Sequence, residues 1–250
     1  MLRPLIFSIM CTSICLAQPR GGRTPKPPAP VVVELFTSEG CSSCPPADSV
    51  LARFERDGVI VLGEHVDYWD GLGWKDRYSS PLFSSRQQDY GVAMRTGNIY
   101  TPQAVINGEK EVLGSDSRAV SAAIADAARS PRAPVELRLS QPSNTAQTIA
   151  IQVGKLPPGS HKADVLLAIT ESGLESNVSA GENRGRKLQH AAVVRSLSRL
   201  AEIDPATPGE YTAEARLNLR PEWNRTNLKL VLLVQDKETR HILGAATLKP

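Results

Sequence analysis

Cysteine is scarce in this chain: there are 4 in 250 residues, and two of them, Cys11 and Cys15, sit in an apolar segment at the amino terminus. That leaves Cys41 and Cys44, too few for a disulfide framework and without a second C-x-x-C to complete a structural zinc site. Charge of one sign is lacking as well. The formal net charge is +3, with Lys and Arg scattered along the chain, so no basic stripe or nucleic-acid motif points to DNA or RNA. No internal repeat recurs at a fixed period. The amino-terminal apolar run, residues 5–16, is too short to span a bilayer comfortably. Hydrophobic residues still make up 41% of the chain, which excludes global disorder, and the length suits two domains of ordinary size.

What is present starts with an export signal. Met1-Leu2-Arg3-Pro4, the apolar run and Cys15-Leu16-Ala17 describe a secretory signal peptide over residues 1–17, cut after Ala17. A retained membrane-anchoring amino terminus is the alternative. Cleavage removes Cys11 and Cys15, leaves no membrane span in the mature chain, and sends the remaining cysteine pair to a periplasmic or secreted setting where disulfides persist. Residues 18–30 are rich in Pro and Gly and read as a linker.

Beyond the linker the pattern tightens. Residues 31–36 form a buried strand, and 47–56 place Ala47, Val50, Leu51 and Phe54 at helical spacing. Residues 59–66 form a second strand and 81–95 a second helix. A short strand at 103–107 leads through Asn107-Gly108 into a hairpin, and residues 118–129 form a third helix. Strands alternating with helices predict an α/β domain over residues 31–130. After a Pro-rich break the period changes to two, and about seven strands separated by Pro, Gly and Asn turns predict an all-β sandwich-like domain over 134–250.

Cys41-Ser42-Ser43-Cys44 lies where the first strand turns into the first helix. Unpaired N–H groups and the helix dipole at that position favour a thiolate. Two intervening residues return the second sulfur to disulfide reach one turn later. Cys41 is therefore the expected nucleophile and Cys44 the resolving thiol. Zinc binding and an inert structural disulfide are the competing readings of the pair.

The segment 31–48, with His65-Val66-Asp67-Tyr68-Trp69-Asp70, Gly73-Trp74-Lys75-Asp76 and Tyr100-Thr101-Pro102-Gln103, resembles the DUF1223 family, exported bacterial proteins of unknown function related to thioredoxins. The resemblance covers nearly the whole mature chain. It implies an α/β thioredoxin-like domain, here followed by the all-β sandwich-like domain. It also implies a cis Thr101–Pro102 bond beside the cysteines, where backbone before the proline can bond an incoming extended peptide; an ordinary trans bond at a strand start is the alternative. One departure concerns the buried acid that thioredoxins carry six residues before the first cysteine: Leu35 stands there, and Glu34 lies one residue earlier. Glu34 is a candidate proton acceptor for Cys44 if the turn holds an extra residue; otherwise it is a strand carboxylate. Gly40 replaces the aromatic residue that thioredoxins have before the motif.

His65 leaves the second strand at the same sheet edge as the cysteines. It is a candidate for raising the thiolate fraction, for acid/base work or for completing a metal site, set against a hydrogen-bonded structural role. Trp69 and Trp74 fit an apolar rim or simple packing, and Asp67, Asp70 and Asp76 fit turn formation better than cation binding. The polar stretch 179–186 reads by default as a solvated hairpin, with contact to the first domain or to a partner as the alternative. Three functions compete: an exported thiol–disulfide oxidoreductase acting on protein thiols with an unknown redox partner; a Cu(I)- or Zn-handling protein using the same cysteines; and a binding module with a structural disulfide. The first needs no cofactor and no metal. Its candidate residues are Cys41, Cys44, Pro102, Thr101, His65 and Glu34.

Overall fold

The computed structural model describes residues 30–140 and 147–250; residues 1–17, read above as a signal peptide, lie outside them. The first half runs β1 (Val32–Thr37), α1 (Pro45–Arg56), β2 (Ile60–His65), a 3-10 turn (Asp70–Leu72), α2 (Pro81–Ala93), β3 (Gln103–Ile106), β4 (Lys110–Leu113) and α3 (Ser117–Ala127). The second half adds β5 (Val135–Leu139), β6 (Thr148–Val153), β7 (Ala163–Glu171), β8 (Leu174–Asn177), β9 (Lys187–His190), β10 (Val193–Ile203), β11 (Tyr211–Arg216), β12 (Leu228–Asp236) and β13 (Ile242–Leu248).

The expected fold, a thioredoxin-like α/β domain followed by an all-β sandwich-like domain, is corrected by the sheet. The described chain is mostly β with three α-helices, and strands of both halves join one mixed eight-stranded sheet in the order β13-β12-β7-β10-β2-β1-β3-β4. The seam is the parallel pairing of β10 with β2, where Val193 lies opposite Gly63 and the Gly63 N–H donates to the Ala192 carbonyl at 2.8 Å. A Cβ at Gly63 would stand 2.9 Å from the Ala191 carbonyl oxygen. Only glycine admits the second half's backbone so close. No periodicity reports such a contact, which is why the halves read as separate layers in sequence.

Alternation along the strands sorts the side chains. One face of the large sheet carries Val32, Phe36, Leu62, Ala168, Val194, Val231 and Leu233, closed by Phe83 and Tyr90 of α2. The other face is covered twice. At one end Val33, Leu35, Val61 and Ile106 meet α1 and α3 through Ala47, Leu51, Val120 and Ala123. At the far end Val165, Leu167, Leu230 and Leu232 meet the three-stranded sheet β11-β6-β5. Burial on both faces explains the continuous apolar runs of β1, β7 and β12.

The helices start where their sequences say. Pro45 and Pro46 open α1, and Asp57-Gly58 ends it, Gly58 at φ +86°. Ser80 caps α2 by accepting from the Leu82 N–H, and the Asp116 carboxylate caps α3 by accepting from the N–H groups of Arg118 and Ala119. The buried face of α2 is polar, with Ser84, Arg86 and Gln87 beside Phe83 and Tyr90, while Leu82 is exposed. Its bonds are made to side chains of the sheet, so an apolar stripe is absent from a fully packed helix.

Candidate functional site

β1 delivers the chain to a tight turn in which the Ser38 hydroxyl accepts from the Gly40 N–H at 3.1 Å and the Ser38 carbonyl accepts from the Cys41 N–H at 3.2 Å. Cys44 is the N-cap of α1, and Cys41 and Cys44 are joined as a disulfide with their Cα atoms 5.4 Å apart. Three other elements meet this turn. Trp69 packs on Gly40, where an added Cβ would lie 3.2 Å from the Trp69 Cβ, and its indole N–H donates to the Thr101 hydroxyl at 2.9 Å. The Thr101–Pro102 bond is cis. Around Gly114, Leu35, Ala47 and Pro102 converge, since a Cβ there would meet all three within 3.4 Å. Pro102 thus lies against the first turn of the helix that Cys44 begins.

Both cysteines are fully buried. Their cover comes from the β8–β9 loop, the stretch expected to be a solvated hairpin. The Asn183 side-chain amide donates to the carbonyls of Glu39 at 2.8 Å and Cys41 at 2.9 Å. The Glu182 carboxylate accepts from the Ser42 N–H at 3.0 Å, and Gly181, at φ +69°, packs on Trp74. Asn183 itself has no exposure. Residues of the second half therefore bond the backbone of the turn that carries the disulfide.

Behind the turn sits a buried ionisable cluster. His65, at the end of β2, points Nδ1 at Asp76 Oδ2 at 2.6 Å, and the same oxygen accepts from the Glu39 N–H at 2.9 Å. Burial raises the Asp76 pKa, but the His65 imidazole and the backbone N–H groups outweigh it and hold the carboxyl below its usual range. Glu39 accepts from the Trp74 indole N–H at 2.7 Å, and its other oxygen faces His190 Nε2 at 3.3 Å. Burial opposes its charge too, yet the bonds from His190 and Trp74 leave its pKa below the ordinary value. His190, on β9, has Asp48 of α1 on its other side at 4.0 Å. Burial works against a charged imidazole here, but the two carboxylates prevail and its pKa is pushed up to about 9. The rings of His65, His190 and Tyr78 stack edge to face, with centroids 5.0–5.6 Å apart.

Of the residues proposed from sequence, Cys41 and Cys44 are joined to each other, Thr101 bonds Trp69, which packs on Gly40 beside them, Pro102 lies with Ala47 around Gly114, and His65 belongs to the cluster behind the turn. Glu34 does not. It shares a sheet face with Val32 and Phe36, whereas α1 packs on the face of Val33 and Leu35. There Glu34 accepts from Arg86 Nε at 2.6 Å and from the Tyr90 hydroxyl. Its reading as proton acceptor for Cys44 is corrected to that of a structural carboxylate. Trp69 and Trp74 are hydrogen-bonded packing residues, and Asp70 holds the loop through the Asp76 N–H and the Ser79 hydroxyl. Sequence reasoning missed Glu39, Asp48, Asn183 and His190. Asp48 carried a signal, its place four residues after Cys44 on a helix. His190 and Asn183 carried none, because only the tertiary fold brings them to the turn.

Among the described residues no group of three or more His, Cys, Asp or Glu side chains is arranged to hold a metal ion, and no helix is long and apolar enough to cross a membrane.

A family model described as a protein of unknown function, DUF1223, matches residues 32–235. The chain belongs to the DUF1223 family. That match crosses the β2–β10 seam, so the family unit includes both halves of the large sheet. The chain is also similar to a crystal structure of a protein from Agrobacterium tumefaciens at 29% identity and a TM-score of 0.70, covering 87% of this chain and 93% of that one. HBP35 of Porphyromonas gingivalis shares the fold alone, at 17% identity and a TM-score of 0.62 over 88% of this chain and 75% of that one. No curated protein matches the chain.

Proposed function

We propose that this DUF1223 protein is an exported thiol–disulfide oxidoreductase acting on protein thiols through Cys41 and Cys44. The observation that carries the reading is the disulfide at the N-cap of α1, with the cis Thr101–Pro102 segment alongside and buried carboxylates and imidazoles behind it. A disulfide needed only for stability has little use for a bond closing so short a loop, because the entropy it removes from the unfolded chain grows with loop length.

In the oxidising direction a substrate thiolate attacks Cys41 Sγ, the Cys41–Cys44 bond breaks, and its electron pair leaves on Cys44 Sγ as thiolate. A second substrate thiolate then displaces Cys41 Sγ, which releases an oxidised substrate and a reduced pair. The reverse sequence reduces a substrate disulfide. Attack at Cys41 is favoured because it precedes the helix and is followed by the exposed Ser42 and Ser43, whereas Cys44 begins the helix itself.

Incubating the mature protein with a reduced model protein tests the reading. Cys41→Ser is expected to abolish exchange, and Cys44→Ser, offered a disulfide-bonded model protein instead, to accumulate mixed disulfides through Cys41. Exchange no faster than that of a free dithiol overturns it. Export is tested separately by mass spectrometry of the protein from its native host, with an amino terminus near Gln18 as the expected result; an intact Met1 in the cytoplasm rejects it.

A further inference from the structure

We propose that Asp48 and His190 form a proton relay for the cysteine pair, in which a proton held on His190 passes through Asp48 to Cys44 as the disulfide opens. This rests on the exchange reading above.

The first observation is a concentration of unmet hydrogen bonds. Glu39 Oε1, Asp48 Oδ1, His65 Nε2 and both ring nitrogens of His190 are buried without a hydrogen-bond partner. Buried polar atoms are nearly always paired. Four of these five face one another across the imidazole, His190 Nε2 to Glu39 Oε1 at 3.3 Å and His190 Nδ1 to Asp48 Oδ1 at 4.0 Å, so His190 stands between two carboxylates at distances at or beyond the limit of hydrogen bonding, beside the cysteine turn.

The second observation is placement. The Asp48 N–H donates to the Cys44 carbonyl at 3.3 Å, so the two residues are a full helical turn apart. Side chains four apart on a helix lie on the same face one turn apart, which places Asp48 on the turn of α1 adjoining Cys44, whose sulfur must leave. A thiolate forming there meets a carboxylate, and that repulsion is relieved if the sulfur takes up a proton. His190 Nδ1 stands 4.0 Å from Asp48 Oδ1, close enough to bond after a small shift, as catalytic contacts often tighten only during reaction. Asp48 and His190 also line a cleft of about 510 Å³ between α1 and the β8–β9 hairpin, through which the proton is exchanged with water.

The step balances. An external thiolate bonds to Cys41 Sγ, the S–S bond breaks onto Cys44 Sγ, Cys44 becomes a thiol, and His190 goes from imidazolium to neutral imidazole. Closing the disulfide reverses each change. The groups facing His190 are Glu39 from the β1–α1 turn, Asp48 from α1, His65 from β2 and Tyr78 from the loop, with Ser176, Asp76 and Arg195 one contact further. The two flanking carboxylates, at 3.3 and 4.0 Å, keep His190 charged at neutral pH, its pKa being about 9. His190 acts through Asp48, so it is a positioning residue.

The test is the rate at which dithiothreitol reduces the full mature protein, expressed per dithiothreitol thiolate, between about pH 6 and about pH 10. In wild type this rate is expected to fall as pH rises through about 9, where His190 loses its proton. His190→Gln and the isosteric Asp48→Asn are expected to be slower by about tenfold near neutral pH and to give flat profiles. If His190→Gln fails to fold, Asp48→Asn carries the same test. Variants that keep the wild-type rate and profile overturn the relay while leaving the exchange reading intact. A wild type that reacts no faster than a model disulfide overturns both.

Discussion

Two buried ionisable clusters hang on β1 and β2, and they are built in opposite ways. On the α2 face, Arg86 donates Nε to Glu34 at 2.6 Å, Nη1 to Gln235 at 2.9 Å and Nη2 to the Tyr90 hydroxyl at 3.1 Å. Glu64 stands 3.4 Å from Arg86 Nε, and burial together with the Glu34 carboxylate beside it pushes its pKa well above the ordinary range. There a buried guanidinium donates to the side chains around it, although both Glu64 oxygens lack a hydrogen-bond partner. At the carboxyl end of the same strands the central group is an imidazole, His190, standing between Glu39 at 3.3 Å and Asp48 at 4.0 Å. The comparison shows two ways of compensating buried charge: a guanidinium that spreads its donors over several partners, and an imidazole held by two carboxylates and able to release a proton.

Removing the keystone of the first cluster should have the largest effect. Arg86→Met leaves Glu34 charged, buried and unmatched, so urea unfolding is expected to show a loss of about 3–5 kcal/mol. His190→Gln should cost clearly less under the same conditions. Equal losses would erase the distinction between the clusters.

Both clusters depend on the seam next to them, since Glu64 and His65 directly follow Gly63. A Cβ there collides with the Ala191 carbonyl, and Gly63→Ala is expected to lose about 1–3 kcal/mol with the two halves unfolding together. Separate transitions in calorimetry would mean that the sheet does not unite them energetically.

Stability against pH sharpens the contrast further. His190 has a folded-state pKa of about 9, above its ordinary 6.5. Its contribution is therefore complete below about pH 6.5 and is lost as pH rises through about 9, on the order of 2 kcal/mol. Subtracting the His190→Gln curve from that of wild type isolates this from Glu64, which remains in both. A difference that stays constant across the window would show that His190 is not charged in the fold.

The smallest effect belongs to the cover. Asn183→Ala removes two hydrogen bonds from the β8–β9 loop to the cysteine turn, worth about 1–2 kcal/mol of closure. Reaction of the disulfide with a small thiol is expected to speed up several-fold, while overall unfolding changes little. An unchanged rate would mean that the loop does not limit access.

Much of this was legible beforehand. The buried strands β1 and β2, the Pro-opened helix α1, the Asn107-Gly108 turn and the cysteine spacing depend on neighbours within a few residues, where side-chain periodicity and backbone preference decide the outcome. Glu34 shows where that stops. Alternation puts it opposite Leu35, but which of the two faces receives α1 is not written in the strand. The polar buried face of α2 is a second case, since Arg86 and Gln87 look solvent-exposed until Glu34, Gln103 and Gln235 are brought to them.

By itself the sequence determined the disulfide-forming spacing of Cys41 and Cys44 and the local elements that carry it, because those follow from one helical turn and one strand end. Only the tertiary structure decided that the second half would extend the same sheet through Gly63, cover the disulfide with Asn183 and set His190 between Glu39 and Asp48. Those contacts join segments more than a hundred residues apart. They arise from how two sheet edges and a returning hairpin pack, which no short-range pattern encodes.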